Sequence, residues 1–282
     1  MFKKITIITA LLLSACTATP QPAANLSVVT TIPALYSLTA TLTEGTATTV
    51  ANLLPPNASI HSYSLTPSAA KTLATADLVV INGLGLETFL NDILKENSAT
   101  VVDSSVGVPT LANKDPHIWL SPPNAQIQSQ NIYKALVTAD PENSEIYSEN
   151  YQFLSIRLAQ LDYDLQSRLD QLDLTPYIVF HDAYQYFEQH FDVHSTAFLE
   201  EFAGREPSAE EIANIVKLIQ EKSPKVIFTE PQFSPKLAQT LSEDYGIQLA
   251  TLDPLGSTAS KDGYFELLDS NVRSFESVFN QK

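Results

Sequence analysis

Cysteine is almost absent from this chain of 282 residues, because Cys16 is the only one. A single cysteine excludes an intrachain disulfide and a metal site built on several thiolates. Basic side chains are also scarce, with 16 lysines and arginines against 32 aspartates and glutamates, and the formal net charge is −16. A chain this acidic repels nucleic acid, and we therefore expect no nucleic-acid partner.

The sequence has no apolar run long enough to cross a bilayer as a helix. Its apolar segment Ile5–Leu13 follows two lysines and leads into Leu13-Ser14-Ala15-Cys16. This order is typical of a bacterial lipoprotein signal, in which the chain is cut before a cysteine that is then lipidated. We predict a signal peptide over residues 1–15 and a lipidated Cys16 with a flexible tether over residues 16–25. The mature protein is then extracytoplasmic and anchored to a membrane by its lipid. An ordinary signal peptide with a chance cysteine is the alternative.

Strand-like apolar segments and helix-start signals alternate along the chain from Leu26 onward. Such alternation predicts an α/β fold in which mostly parallel sheets are flanked by helices. The alternation is interrupted after Asp140 and Pro141, which together predict an N-cap and a first helical position. Leucines then recur at steps of three and four, which predicts one helix of about 30 residues.

We therefore predict two α/β lobes that are joined by one long backbone helix. The N-terminal lobe covers residues 26–139, the linking helix covers residues 140–175, and the C-terminal lobe covers residues 176–282. A coiled-coil dimerisation helix is the alternative, but its charged residues show no clear flanking pairs. We expect a monomer.

Three of the five histidines lie in similar local settings. His61, His117 and His181 each lie beside an apolar or extended segment and shortly before a helix-start signal. Junctions between strands and helices are where α/β folds collect ligand-binding groups. Neutral imidazole is the commonest protein ligand for zinc, and it also suits copper, iron and nickel. The three histidines are therefore candidate metal ligands, whereas His190 and His194 fit a solvated or capping role.

Five short motifs around these residues occur in a fixed order along the chain. They are Ala58–Leu65, Asp115–Pro122, Val179–Tyr184, Thr229–Phe233 and Leu252–Gly256. Together they resemble the zinc-type metal-binding lipoproteins and periplasmic proteins of bacterial ABC uptake transporters. The resemblance extends from Leu26 to the end of the chain.

The resemblance implies a solute-binding protein, not an enzyme, that captures Zn²⁺ and delivers it to an ABC permease. It also implies that His61, His117 and His181 bind the metal between the lobes, with Asp253 or a water molecule as the fourth ligand. Glu230 is a further acidic candidate, better suited to orienting a ligand. Manganese- or iron-type relatives tend to carry a carboxylate in place of the third histidine, whereas three imidazoles favour zinc.

The chain departs from the zinc-type pattern at two places. Some relatives carry glutamate immediately before the first histidine, where this chain has Ile60. Many hold a loop rich in histidine and aspartate between the first two ligands. The corresponding segment of this chain, residues 104–114, is short and contains no histidine. The alternative functions are Mn²⁺ or Fe²⁺ binding by the same fold, a surface adhesin, and a zinc hydrolase. The hydrolase is disfavoured because no metalloprotease motif provides a carboxylate base.

Overall fold

The computed structural model describes residues 25–96, 98–200, 203–256 and 259–279. Within these ranges eight strands and nine α-helices follow one another along the chain. The predicted signal peptide, Cys16 and the tether up to residue 24 lie outside the described residues. In the part of the chain that is described, no helix is both long and apolar enough to cross a membrane.

The N-terminal lobe is a four-stranded parallel sheet with the strand order β2-β1-β3-β4. Its strands are β1 (Ser27–Thr30), β2 (Thr49–Asn52), β3 (Leu78–Ile81) and β4 (Thr100–Asp103). Its helices are α1 (Pro33–Leu42), α2 (Pro67–Ala74), α3 (Asn91–Glu96) and α4 (Pro122–Ala139). Proline occupies the first turn of α1, α2 and α4, where its missing N–H costs no hydrogen bond.

The linking helix α5 (Ser144–Leu169) has 26 residues and is about 39 Å long. A 3₁₀ turn over Pro141–Asn143 precedes it; Asp140 is the N-cap residue of that turn, with Pro141 at the first position, but its side chain makes no capping hydrogen bond. The Asp140 carboxylate instead accepts hydrogen bonds from Nδ2 of Asn143, at 2.7 Å, and from the hydroxyl of Tyr147, at 2.8 Å. Both of these bonds are made to Oδ2 of Asp140.

The C-terminal lobe repeats the same architecture with the strand order β6-β5-β7-β8, again entirely parallel. Its strands are β5 (Tyr177–His181), β6 (Ala197–Glu200), β7 (Val226–Thr229) and β8 (Gln248–Thr251). Its helices are α6 (Gln185–Phe191), α7 (Ala209–Lys222), α8 (Lys236–Tyr245) and α9 (Gly263–Val278). The two-lobed α/β fold with one long backbone helix is therefore confirmed.

One apolar core runs through both lobes and the linking helix. It contains Leu35 and Trp119 of the first lobe, Leu158 of α5, and Val179 and Phe275 of the second lobe. Moving the lobes apart would expose this shared apolar surface to water, which is unfavourable. The fold therefore favours small movements of the lobes over wide opening.

The carboxyl ends of both parallel sheets carry polar residues. In the first lobe the strands lead to Thr31, Asn82 and Ser104, and in the second they lead to His181, Glu200, Glu230 and Asp253. Parallel strands place their carboxyl ends at one edge of the sheet, which is where α/β folds bind ligands.

Candidate metal centre

The three candidate histidines meet between the lobes. His61 lies on a 3₁₀ turn after β2, and His117 directly precedes a second 3₁₀ turn that leads into α4. His181 is the last residue of β5. Two histidines therefore come from the N-terminal lobe and one from the C-terminal lobe, across sequence separations that no local motif could define.

The Nε2 atoms of the three histidines converge on a common position. The Nε2 atom of His117 lies 3.0 Å from Nε2 of His61 and 3.4 Å from Nε2 of His181. One ring nitrogen from each residue lies within 4.8 Å of the other two. Tetrahedral zinc with Zn–N bonds of about 2.05 Å places its ligand nitrogens about 3.3 Å apart. The spacing of the donor atoms therefore fits a tetrahedral cation.

Buried carboxylates orient two of the three rings. Nδ1 of His117 donates to Oδ1 of Asp115 at 2.6 Å, and Nδ1 of His181 donates to Oε1 of Glu230 at 2.6 Å. The backbone N–H groups of the two histidines donate to the same oxygens, at 3.0 and 3.3 Å. A proton held on Nδ1 leaves the lone pair of Nε2 free for a metal, and the carboxylate makes the imidazole a stronger ligand. Asp115 was missed in the sequence, although it stands two residues before the histidine.

His61 differs from the other two candidate ligands because the residue as a whole is exposed at the mouth of the site, while its ring packs against those of His117 and His181. Desolvation of its ring, followed by repulsion from His117 and His181, lowers the pKa of His61 to about 3. Among the described residues, no carboxylate forms a hydrogen bond with this ring. His61 therefore stays neutral at physiological pH, which is the form that binds metal.

The lowered pKa of His61 predicts how the stability of the metal-free protein depends on pH. Between pH 6.5 and about 3 the unfolded chain binds a proton at His61 that the folded chain does not. The free energy of unfolding therefore falls as the pH drops below 6.5. Thermal unfolding from pH 7.5 to 5 should show a steeper loss of Tm for the wild type than for His61→Asn. Parallel profiles would contradict the prediction.

Ile60, which stands where some relatives carry glutamate, is explained by packing. Its side chain is 2% exposed and belongs to the main apolar core. A glutamate there would have to leave the core or bury its charge without a partner, which is costly. The residue before the first histidine therefore supports the turn from beneath and supplies no ligand.

Asp253 lies outside the group of three histidines whose donor atoms are within 4.8 Å of one another in the described chain. Its Oδ1 atom accepts from Nε2 of Gln232 at 2.8 Å and from the backbone N–H groups of Leu255 and Gly256, each at 3.0 Å. This oxygen closes the turn after β8.

The histidines open into a cavity of about 320 Å³. Its wall also includes Asn113, Lys114, Asp182 and Gln185. The amide of Gln185 donates to Asp182 and accepts from Asn113 of the other lobe, at 2.5 and 2.9 Å. Burial raises the pKa of Asp182. The cavity is therefore large enough to admit a hydrated cation, with charged and amide groups in its wall.

The remaining histidines take no part in this centre. Nε2 of His190 contacts Oδ1 of Asp162 on α5, at 2.5 Å, and His194 contacts Asp192 at the surface. His190 therefore fastens α6 to the linking helix, and it provides a control residue outside the site.

Comparison with known proteins agrees with the fold. A family model described as zinc-uptake complex component A, periplasmic, matches residues 28–278. The high-affinity zinc uptake system protein ZnuA of Haemophilus ducreyi is 29% identical over 317 residues, and the match covers 100% of both chains. A crystal structure of ZnuA has a TM-score of 0.82 at 26% identity and covers 91% of this chain and 100% of that chain.

Two further similar structures, both of one protein, contain metals other than zinc. The SBP FpvC of Pseudomonas aeruginosa in complex with Ni²⁺ has a TM-score of 0.81 at 25% identity, and the match covers 90% of this chain and 97% of that chain. The same protein has also been solved in complex with Mn²⁺. Similarity of fold therefore supports metal binding, without by itself selecting zinc.

The family match spans nearly the whole chain and confirms the resemblance carried by the five motifs. Proteins of this family are periplasmic metal-binding components of ABC uptake transporters and not enzymes. The predicted role as a solute-binding protein of such a transporter and the prediction that the protein is not an enzyme are therefore confirmed. The extracytoplasmic location agrees with the predicted signal peptide, while the lipid anchor stays a prediction. This chain belongs to the family of zinc-uptake complex component A periplasmic proteins.

Proposed function

We propose that this protein captures Zn²⁺ with His61, His117 and His181 and delivers it to the permease of an ABC transporter. The observation that carries the proposal is the convergence of three Nε2 atoms at distances that suit tetrahedral coordination. Two of these nitrogens are already oriented by buried carboxylates, so little reorganisation is needed when the metal binds.

Zinc is favoured over manganese and iron by the chemistry of the donor set. Imidazole nitrogen suits zinc, whereas manganese prefers more oxygen ligands. One oxygen of each nearby carboxylate, Asp115 and Glu230, accepts from Nδ1 of a histidine, and neither carboxylate belongs to the group of donor atoms that lie within 4.8 Å of one another. Binding of Mn²⁺ or Fe²⁺ by the same site is the second candidate, supported by the Mn²⁺ complex of FpvC.

For the fourth position the proposal is a water molecule, with Asp253 as the alternative. Support comes from the three hydrogen bonds that Oδ1 of Asp253 already accepts. Asparagine at this position can keep those bonds through its own oxygen. Zinc affinity in Asp253→Asn within about threefold of the wild type would favour water, whereas a loss of about tenfold or more would assign the aspartate.

The remaining parts of the proposal concern attachment and assembly. Lipidation of Cys16 would hold the protein at the membrane surface near its permease, and a mature lipoprotein carries enough acyl chains for stable attachment. A monomer is supported by α5, which buries Leu154, Leu158 and Leu165 inside the protein, although Phe153, Ile156 and Tyr163 on its other face are exposed.

Competition between metals tests the proposed function directly. Trp119 is the only tryptophan, is fully buried, and lies with its ring centroid 5.2 Å from that of His117, so its fluorescence reports events at the site. Titration of metal-free protein with Zn²⁺ and Mn²⁺, against a chelator, should give zinc an advantage of at least about 100-fold. Equal or tighter binding of Mn²⁺ would overturn the choice of zinc. Absence of binding by either metal would overturn the function.

A further inference from the structure

A buried pair of side-chain amides lies behind the turn that carries His117. Asn82 directly follows β3, Gln128 lies on α4, and both side chains are completely buried. Nε2 of Gln128 donates to Oδ1 of Asn82 at 3.1 Å and to Oγ of Ser104 at 3.0 Å. Breaking either bond would leave a further desolvated polar group beside Oε1 of Gln128, which is buried without a hydrogen-bond partner in the described chain, so the two bonds favour one fixed geometry.

The amide of Asn82 reaches the backbone next to the metal ligand. Its Nδ2 donates to the carbonyl oxygen of Pro116 at 2.8 Å, and Pro116 immediately precedes His117. Because proline has no N–H, its carbonyl is the backbone group through which this residue can be held. The same carbonyl accepts from the N–H of Ile118 at 2.8 Å, which tightens the turn around the histidine.

Asn82 is in turn fixed by a buried glutamate. Its backbone N–H donates to Oε1 of Glu87 at 2.7 Å, and the N–H of Gly83 donates to Oε2 at 3.1 Å. The hydroxyl of Thr31, at the end of β1, also donates to Oε1 of Glu87 at 2.7 Å. The contacts therefore run without a break from the ends of β1 and β3 through Asn82 to Pro116.

We infer that Asn82, held by Gln128, is a positioning residue for metal capture. It fixes the turn so that Nε2 of His117 stays at coordination distance from the other two imidazoles. The inference rests on the proposed function, since it takes the three histidines as the ligands. Asp115 orients the ring of His117, and Asn82 places the backbone from which that ring extends. Groups that support a ligand in this way commonly contribute about tenfold to 100-fold in metal affinity.

The test compares Asn82→Ala and Gln128→Met with the control Asn131→Ala. Asn131 also lies on α4, and its Nδ2 donates to the carbonyl oxygens of Ser104 and Val106, at 2.9 and 2.8 Å. Asn131 therefore holds the beginning of the segment that leads from β4 to His117, whereas Asn82 holds its end at Pro116. Each variant is measured for zinc affinity by chelator competition, for the visible absorption spectrum of bound Co²⁺, and for the Tm of the metal-free protein.

Asn82→Ala and Gln128→Met should each lower zinc affinity by about tenfold or more and change the Co²⁺ bands. The double variant should lose less affinity than the two single losses combined, because the residues act through one contact. Asn131→Ala should lower Tm while keeping the affinity and the spectrum of the wild type.

The inference is overturned if Asn82→Ala and Gln128→Met lower Tm as Asn131→Ala does but keep wild-type affinity and spectrum. If Asn82→Ala does not fold, Gln128→Met decides the question by the same criteria. Wild-type protein that binds no zinc would instead overturn the proposed function, so the two failures are distinguishable.

Discussion

Replacing His117 by alanine is expected to weaken zinc binding at least about 100-fold, or about 2.7 kcal/mol. Nε2 of His117 is the proposed ligand atom that lies close to the Nε2 atoms of both other histidines, at 3.0 Å from His61 and 3.4 Å from His181. Its removal leaves two proposed ligands, one from each lobe. It also leaves the carboxylate of Asp115, 5% exposed, without the ring N–H that it accepts from. The proposed zinc site therefore loses a ligand atom, and the buried carboxylate of Asp115 keeps only the hydrogen bond from the backbone N–H of residue 117.

Affinity of this variant is best measured by calorimetry or chelator competition, because the substitution itself changes the surroundings of Trp119. His190→Ala is the matched control, since it removes a histidine that pairs with Asp162 outside the site. The control should bind zinc as the wild type does. Wild-type affinity in His117→Ala, with the metal-free protein folded, would remove the three-histidine site from consideration.

The two-lobed fold could be predicted from the sequence because its signals are local and repeated. Short apolar runs followed by amphipathic patterns define strands and helices without knowledge of distant residues. The start of α5 was predicted less well. Asp140 and Pro141 have the residue types of a helix start, yet the Asp140 carboxylate pairs with the side chains of Asn143 and Tyr147. That choice among partners depends on packing, which the local pattern does not contain.

The candidate metal site could likewise be predicted only in part, because its residues are recognisable from local motifs while their spacing depends on tertiary packing. His61, His117 and His181 could be selected from their motifs, but the spacing of their nitrogens depends on how two lobes pack. Asp115 was missed because an aspartate two residues before a histidine contacts the ring only in a particular turn conformation. The hydrogen bonds of Asp253 were equally hidden, because its neighbouring backbone N–H groups become available only once the turn after β8 forms.

Replacing Glu230 by alanine is expected to weaken zinc binding by about tenfold to 100-fold, although Glu230 is not a proposed ligand. Its Oε1 accepts from Nδ1 of His181 at 2.6 Å and from the backbone N–H of the same residue at 3.3 Å. Without this acceptor, the ring of His181 can rotate and its Nδ1 proton is no longer held. Glu230→Gln separates the two contributions, since the amide oxygen can still orient the ring but lacks the charge that strengthens it as a ligand. The glutamine variant should therefore lose less affinity than the alanine variant.

Glu200→Gln provides the matched control for this experiment. Glu200 is also a buried glutamate at the carboxyl end of a strand, and it is the register partner of His181 on β6. Its Oε2 accepts from the N–H of Gly204 at 2.8 Å. The control removes a buried negative charge near the site without releasing a ligand, so zinc affinity should stay within about threefold of the wild type. If Glu200→Gln and Glu230→Gln lose affinity equally, general electrostatic attraction accounts for the effect, and orientation of His181 by Glu230 does not.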